Sequence, residues 1–234
     1  KDHLQLSDNQ PGYLIVNTGN ANAGTGEQGI ADARSCCAAV AQVANTEASQ
    51  VLPFSTGVIG EPLPVELIAD AIPAAVAGLA DSGWADAAEG ILTTDTRPKG
   101  LSVQFSCDGQ DYVVTGIAKG AGMIRPNMAT MLGYVATDAA VEVAILQKIL
   151  SEATAMSFNR VTVDGDTSTN DACVLVATGA ACNELLANAD QPLYRALADA
   201  VQEVCVSLAQ GLVRDGEGAS KFVTVEINGG VNEQ

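Results

Sequence analysis

Histidine is nearly absent from this chain. The only one is His3, in a polar leader, so an imidazole general base has no obvious candidate. Basic residues are scarce too: 11 Lys and Arg stand against 28 Asp and Glu, for a formal net charge of −17 at pH 7. Such an acidic surface repels a phosphate backbone, which excludes nucleic acid as a partner, and it reads more simply as a source of solubility. Aromatics are only 4% of residues, so Ala, Val, Ile and Leu must fill the core. No uninterrupted apolar run approaches the roughly 20 residues of a membrane span, and the first residues carry no signal-peptide pattern. The six cysteines, Cys36, Cys37, Cys107, Cys173, Cys182 and Cys205, include no C-x-x-C pair. Most lie in apolar surroundings and read as buried free thiols of a reducing, cytoplasmic compartment rather than as disulfides or zinc ligands.

What the chain does have is apolar residues, 47% of 234, enough for one large domain or two small ones. Abundant Ala and Gly favour close approach between helices and sheets. Residues 12–17 read as a short buried strand, and 51–60 as a strand entering a Gly turn. Helical spacing runs over 27–45, with Ile30, Ala33, Cys37, Val40 and Val43 along one side. Further helices are predicted at 64–79, 81–90, 141–156 and 192–213. Residues 101–107 and 112–118 flank CDGQD as a hairpin. Strands are expected at 131–135, 160–163, 172–178 and 221–227. Interleaved helices and strands with a hairpin predict an α/β fold, mixed sheets carrying helices on their faces. No linker or repeat divides it, so 1–234 reads as one catalytic core.

The segment KGAGMIRPNMATML, 119–132, places Thr130 after Ala129 in a Gly- and Pro-containing stretch. An internal threonine is a weak nucleophile and commonly just opens a strand. Cut at the Ala129–Thr130 bond, Thr130 would gain a free amine titrating near ~8, supplying nucleophile and base from one residue. Ser55-Thr56-Gly57 offers a hydroxyl and a backbone N–H for an oxyanion, or else merely ends a strand. Lys119 follows an apolar strand and could pair with a substrate carboxylate or lower the pKa of a nearby amine; the alternative is a solvated strand-end lysine. Glu217, in a Gly-flanked loop, could receive an ammonium or stand in water. Gly19, Gly24 and Gly26 lack the spacing of a dinucleotide fingerprint. In the stretch 164–171, Asp164, Asp166 and Asp171 resemble half a calcium loop without its closing glutamate, and turn formation through Asx hydrogen bonds is the better reading. Cys36-Cys37 reads as core.

The same segment closely resembles the self-cleavage region of the ornithine acetyltransferase family, the bifunctional glutamate N-acetyltransferases of arginine biosynthesis. NTGNANAGTGEQG at 17–29, PFSTGVIGEPLP at 53–64, TTDTRPK at 93–99, VTVDGDTSTND at 161–171 and RDGEGASK at 214–221 match it in order. Known members are longer at both ends, and the chain resembles their middle. The resemblance implies layered α/β packing with sheets between helices, and cleavage into 1–129 and 130–234, pieces that stay associated as a heterotetramer. The cleavage would proceed by an N→O acyl shift onto the Thr130 hydroxyl, followed by hydrolysis of the ester. It implies Thr130 as nucleophile, Thr56 and Gly57 as the oxyanion pair, and Thr96, Lys119, Thr130 and Glu217 as substrate contacts. Two further family ligands near the C-terminus have no counterpart in this sequence. The implied reaction moves an acetyl group from N-acetylornithine to glutamate, releasing ornithine, with acetyl-CoA a co-substrate in some members and no bound cofactor or metal. The alternatives are an amidase or aminopeptidase with the same nucleophile, and an inactive core fragment that keeps the fold without a complete pocket.

Overall fold

The computed structural model describes residues 2–8, 10–125 and 131–229. After a short helix α1 (Asp2–Leu6), strands β1 (Tyr13–Asn20) and β2 (Val51–Val58) pair in parallel as a two-stranded sheet. They are connected through helix α2 (Gly26–Ala44), which ends on Asn45 in the left-handed conformation that asparagine tolerates. Helices α3 (Val65–Ala77, introduced by Pro64) and α4 (Trp84–Gly90) follow.

The second sheet has the order β3 (Lys99–Cys107), β4 (Gln110–Lys119), β5 (Leu132–Thr137), β6 (Ala172–Ala177). Its first two pairings are antiparallel and the last is parallel. Asp108 and Gly109 turn the β3–β4 hairpin with φ of 51° and 80°, the positive pair that a two-residue turn between twisted strands requires. Helix α5 (Val143–Ala155) lies between β5 and β6, its first amides capped by the Glu142 carboxylate. Helix α6 (Pro192–Arg214) opens on a proline, whose missing N–H is no loss at that position.

Strand alternation sorts the side chains into layers. Tyr13, Ile15 and Val51 face Cys37, Val40, Ala41 and Ile72 of α2 and α3. Leu14, Val16 and Phe54 point the other way and meet Ile117, Leu132 and Tyr134 of the second sheet. Phe54 and Tyr134 touch edge to face, with centroids 5.2 Å apart. The far face of that sheet, with Val114, Ala118 and Val135, packs on α5 and α6. The result is helix, sheet, sheet, helix, the layering that the family resemblance implied. A Cβ on Gly116 would lie 2.6 Å from a Val204 methyl, so glycine is what lets α6 sit this close to β4.

Helix α6 is long and apolar enough to cross a membrane by length and composition. Its stripe of Leu197, Val201, Val204, Leu208 and Leu212 is instead fully buried on the sheet, each such side chain contributing about 1.5–3 kcal/mol.

Some expectations are corrected. Residues 161–163 form no strand: the Val163 amide and the Thr162 hydroxyl each donate to the Ile124 carbonyl at 3.0 Å, so they brace a loop rather than extend a sheet. Residues 221–227 form no strand either. Val223, Val225 and Ile227 lie exposed, and Phe222 sits under the Arg214 guanidinium, 4.5 Å from its ring centroid. The helix expected from residue 81 begins at Trp84. On α2, Ile30 and Val43 remain exposed, and burial falls on Cys36, Cys37, Val40 and Ala41 in the middle of the helix. All six cysteines are free thiols, with Cys182 exposed.

Candidate active site

Four segments converge where β2 and β4 end. The pleat that turns Phe54 toward the second sheet also turns Thr56 toward it, where the hydroxyl is buried. Lys119, the last residue of β4, is 2% exposed. Its Nζ donates to Thr56 Oγ1 at 3.0 Å and to Thr93 Oγ1 at 2.8 Å. Among the described residues no carboxylate lies within 4.0 Å of it. Burial pulls the Lys119 pKa down, the Asp95 charge opposes this, and Lys99 adds to it. Because Lys119 occupies an acceptor position on Thr56 Oγ1, the Thr56 proton remains available to donate elsewhere.

Gly57 follows with φ +131°. A Cβ there would fall 2.3 Å from the Gly19 carbonyl carbon and 2.6 Å from the Asn20 nitrogen, so no side chain fits between the paired strands. Thr56 and Gly57 thus adjoin each other in a backbone that only glycine can complete.

A second polar cluster lies alongside. Lys99 Nζ is 2.6 Å from both Asp95 Oδ1 and Asp215 Oδ2, all three side chains being buried. Asp95 Oδ1 also accepts the Gly120 amide at 2.7 Å. Asp215 accepts the Thr96 amide at 3.0 Å and the Thr96 hydroxyl. Burial alone would raise both carboxyl pKa values, but Lys99 and these donors hold each below its ordinary value. Thr96, expected as a substrate contact, is therefore tied to Asp215. The hydroxyl beside Lys119 belongs to Thr93, three positions earlier in TTDT.

Glu217 is exposed, at the mouth of the site. Its amide donates to Ala121 O at 2.7 Å, and its carboxylate covers Gly122, where a Cβ would come within 3.0 Å of it.

Ala129 and Thr130 lie outside the described residues. Both flanks of their segment are held by one loop, 164–171. Asp164 accepts the amides of Met123 at 2.5 Å and Ile124 at 3.1 Å on the near side, and that of Asp166 at 3.1 Å within its own turn. On the far side, Asp171 Oδ1 accepts the Met131 amide at 3.0 Å. Asn170 donates to Ser55 Oγ at 3.0 Å, joining the loop to the residue before Thr56. The Asp residues of the half calcium loop thus serve turns and amides, and among the described residues no cluster of three or more His, Cys, Asp or Glu side chains could hold a metal. Burial lifts the Asp171 pKa to about 6, against the Met131 amide, the Ser168 hydroxyl and the Lys119 charge. A cavity of about 330 Å³ opens beside Ser55, Asn170 and Asp171, walled by Phe54 and Leu63.

The structure therefore brings Thr56, Gly57, Lys119 and Glu217 to one end of the sheets, next to the start of β5. Sequence reasoning missed Thr93, the Lys99 cluster, and the positions of Asn170 and Asp171. The doubled threonines of TTDT were the one available signal for Thr93.

Comparison with known proteins follows the same lines. The family model described as the ArgJ family matches residues 1–234. The arginine biosynthesis bifunctional protein ArgJ of Pseudomonas syringae pv. tomato is 60% identical over 222 residues, which is 95% of this chain and 55% of that protein. The protein of the same name from Psychrobacter arcticus is 56% identical over 224 residues, 96% of this chain and 55% of its own. The chain thus spans about half the length of these relatives. Among solved structures, ArgJ from Bacillus halodurans is 41% identical over 49% of this chain and 60% of its own, with a TM-score of 0.45. Ornithine acetyltransferase from Mycobacterium tuberculosis, solved with ornithine, is 33% identical over 49% of this chain and 61% of its own, with a TM-score of 0.41. The chain belongs to the ArgJ family.

Proposed function

We propose, from that membership and from the site just described, that the whole protein transfers an acetyl group from N-acetylornithine to glutamate through an acetyl ester on Thr130. The observation that carries this reading is Lys119: a buried cation served by two neutral hydroxyls, at the end of the strand whose partner begins two residues after Thr130. Such a cation is unneutralised until a ligand carboxylate arrives, and N-acetylornithine and glutamate both present an α-carboxylate.

The Thr130 hydroxyl first attacks the Ala129 carbonyl carbon. The C–N bond breaks, the nitrogen takes up a proton, and water hydrolyses the resulting ester. The freed amine then serves as base for the same hydroxyl. In transfer, Thr130 Oγ attacks the acetyl carbonyl, and its proton passes through the amine to the departing ornithine nitrogen. The oxyanion is met by the Thr56 hydroxyl and the Gly57 N–H, donors fixed before charge develops. Glutamate attacks the ester in the second half-reaction and leaves as N-acetylglutamate. Glu217 receives the side-chain ammonium of ornithine, and Thr93 steadies Lys119. Acetyl-CoA is an alternative donor to the same hydroxyl, and the two pieces assemble as a heterotetramer in the cytoplasm.

The test is mass spectrometry of the full-length protein. A chain beginning TMLGYV should appear and should be absent in Thr130→Ala. N-acetylornithine alone should add one acetyl group to Thr130, and glutamate should remove it as N-acetylglutamate. Release as free acetate instead would make the protein a hydrolase. Label on a cysteine would overturn the nucleophile.

A further inference from the structure

The Asp95 side chain is fully buried, and each of its oxygens reaches a segment that carries one of the groups around Lys119. Oδ1 accepts the Gly120 amide at 2.7 Å, one residue past Lys119 at the end of β4. Oδ2 accepts the Thr93 amide at 3.3 Å, and Thr93 is the residue whose hydroxyl meets Lys119 Nζ at 2.8 Å. One carboxylate therefore spans the TTDT turn and the strand end, and the Thr93–Lys119 contact closes the ring from the other side. Asp95 forms no ion pair with Lys119 within 4.0 Å. Its oxygens are taken by the two amides and by Lys99 Nζ, which lies 2.6 Å from Oδ1.

We propose that Asp95 is the positioning residue of the Lys119 socket: it fixes Lys119 and Thr93 against each other and faces the lysine from beyond contact distance, so that the ammonium stays free for a substrate carboxylate. The inference rests on Lys119 receiving that carboxylate. Burial disfavours a charged lysine, and a lysine that shed its proton would offer an anion nothing. A contact ion pair would preserve the charge and fill the place of the ligand. An anion held one step back preserves the charge and leaves the place open.

The charged groups that act on Lys119 are Asp95, Asp171 and Glu217, which favour its ammonium form, and Lys99, which opposes it. Asp95 is the foremost of the three carboxylates. Asp215 meets Lys99 as closely as Asp95 does, at 2.6 Å, but its other bonds go to the Thr96 amide and hydroxyl. It shares the cluster without touching Thr93 or Gly120, which makes it the matched control.

The test is calorimetric titration of the full-length protein with glutamate, which only binds when no acetyl donor is present. Wild type, Asp95→Asn, Asp95→Glu, Asp215→Asn and Lys119→Met are compared from about pH 6 to about pH 9. Glutamate's own groups titrate alike throughout, so differences between the proteins report the site. Only charged Lys119 attracts a carboxylate, so affinity falls as pH rises through its pKa. Asp95→Asn lowers that pKa further. Its affinity should fall about one pH unit earlier, a deficit of up to about tenfold at the upper end that narrows toward the lower. Asp95→Glu keeps the charge but displaces the oxygens, so its Kd should be about threefold to tenfold weaker at every pH, with the wild-type limb. Asp215→Asn should keep the wild-type limb. The same Kd profile in Asp95→Asn and Asp215→Asn would overturn the inference and leave the cluster to the fold. So would wild-type Kd at every pH in Asp95→Asn. If Asp95→Asn does not fold, Asp95→Glu decides, and wild-type Kd throughout would overturn the positioning role. Glutamate bound as tightly by Lys119→Met as by wild type would overturn the reading beneath it instead.

Discussion

Two buried lysines stand at the same end of the second sheet and live in opposite surroundings. Lys99 opens β3 and pairs in register with Ala118, the residue before Lys119. They are 5% and 2% exposed, so each has surrendered most of its hydration. Lys99 recovers it from two carboxylates at 2.6 Å, which also take up Thr96 and the Gly120 amide. Lys119 has two hydroxyls and no carboxylate within 4.0 Å among the described residues. Burial therefore depresses the pKa of Lys119, while around Lys99 it is the carboxylates whose pKa values are held down. A saturated cation serves the fold, and an unsaturated one is the kind of group that the proposed function pairs with a substrate carboxylate.

The most severe way to probe this contrast is Lys99→Met, which leaves Asp95 and Asp215 buried without a counter-charge. It should lower unfolding free energy by about 3–5 kcal/mol in urea titration. The same cluster gives a pH signature. Asp95 and Asp215 have folded pKa values below the unfolded ~3.9, so their contribution is present above that value and lost as pH falls through the folded values. Lys99→Met should flatten that acid loss. Stability equal to wild type would erase the distinction between the lysines.

Thr56→Ala acts on the other side of the comparison. Turnover should drop roughly 10²–10³-fold, or about 2.7–4 kcal/mol, with little change in KM, since the donor works as charge develops. Unchanged kcat in a folded variant would place the oxyanion elsewhere.

Lys119→Met should weaken both N-acetylornithine and glutamate by about 1.5–3 kcal/mol, read from KM in the two half-reactions. Its Tm should hold or rise, because a buried charge without a counter-ion has been removed. A fall in Tm matching that of Lys99→Met would mean the two lysines do the same work.

The finest distinction separates two threonines of one motif. Thr96→Val should lower stability by about 0.5–1.5 kcal/mol and leave KM alone, while Thr93→Val should raise KM and leave stability nearly alone. Reversed outcomes would make Thr96, rather than Thr93, the substrate contact.

Local chemistry was legible in the sequence wherever one residue decides the matter. Asp108-Gly109 can only turn tightly, and the stripe on α6 can only face a core. The strand expected at 221–227 failed because a strand needs a neighbour, and none of the described segments supplies one. Thr96 was named as a substrate contact from the family resemblance, and the sequence has no mark that distinguishes it from Thr93. The approach of Asp215, distant in the chain, binds the Thr96 hydroxyl, while that of Thr93 meets Lys119. Asp171 was read as a turn former, since its partner Met131 lies 40 residues away in sequence. Gly57 was read as an oxyanion N–H or the end of a strand, and the nearness of the Gly19 backbone adds a packing reason for a glycine that the sequence did not show.

The ladder between β4 and β5 runs from Val114 opposite Thr137 to Lys119 opposite Leu132. It joins residues on either side of the Ala129–Thr130 bond. The core beneath it is shared, with Val114 and Ala118 from one side packed against Val135, Val204 and Leu208 from the other. Two pieces built this way would not come apart on dilution as docked subunits do. Their separation would proceed at the rate of unfolding, a kinetic rather than a concentration-dependent property. Either piece made alone would expose a bare sheet edge and half a core, an invitation to aggregate. Were the Ala129–Thr130 bond cut, the cut would be an event in time as much as in sequence: it would have to come after folding, when the bond it removes has already become redundant.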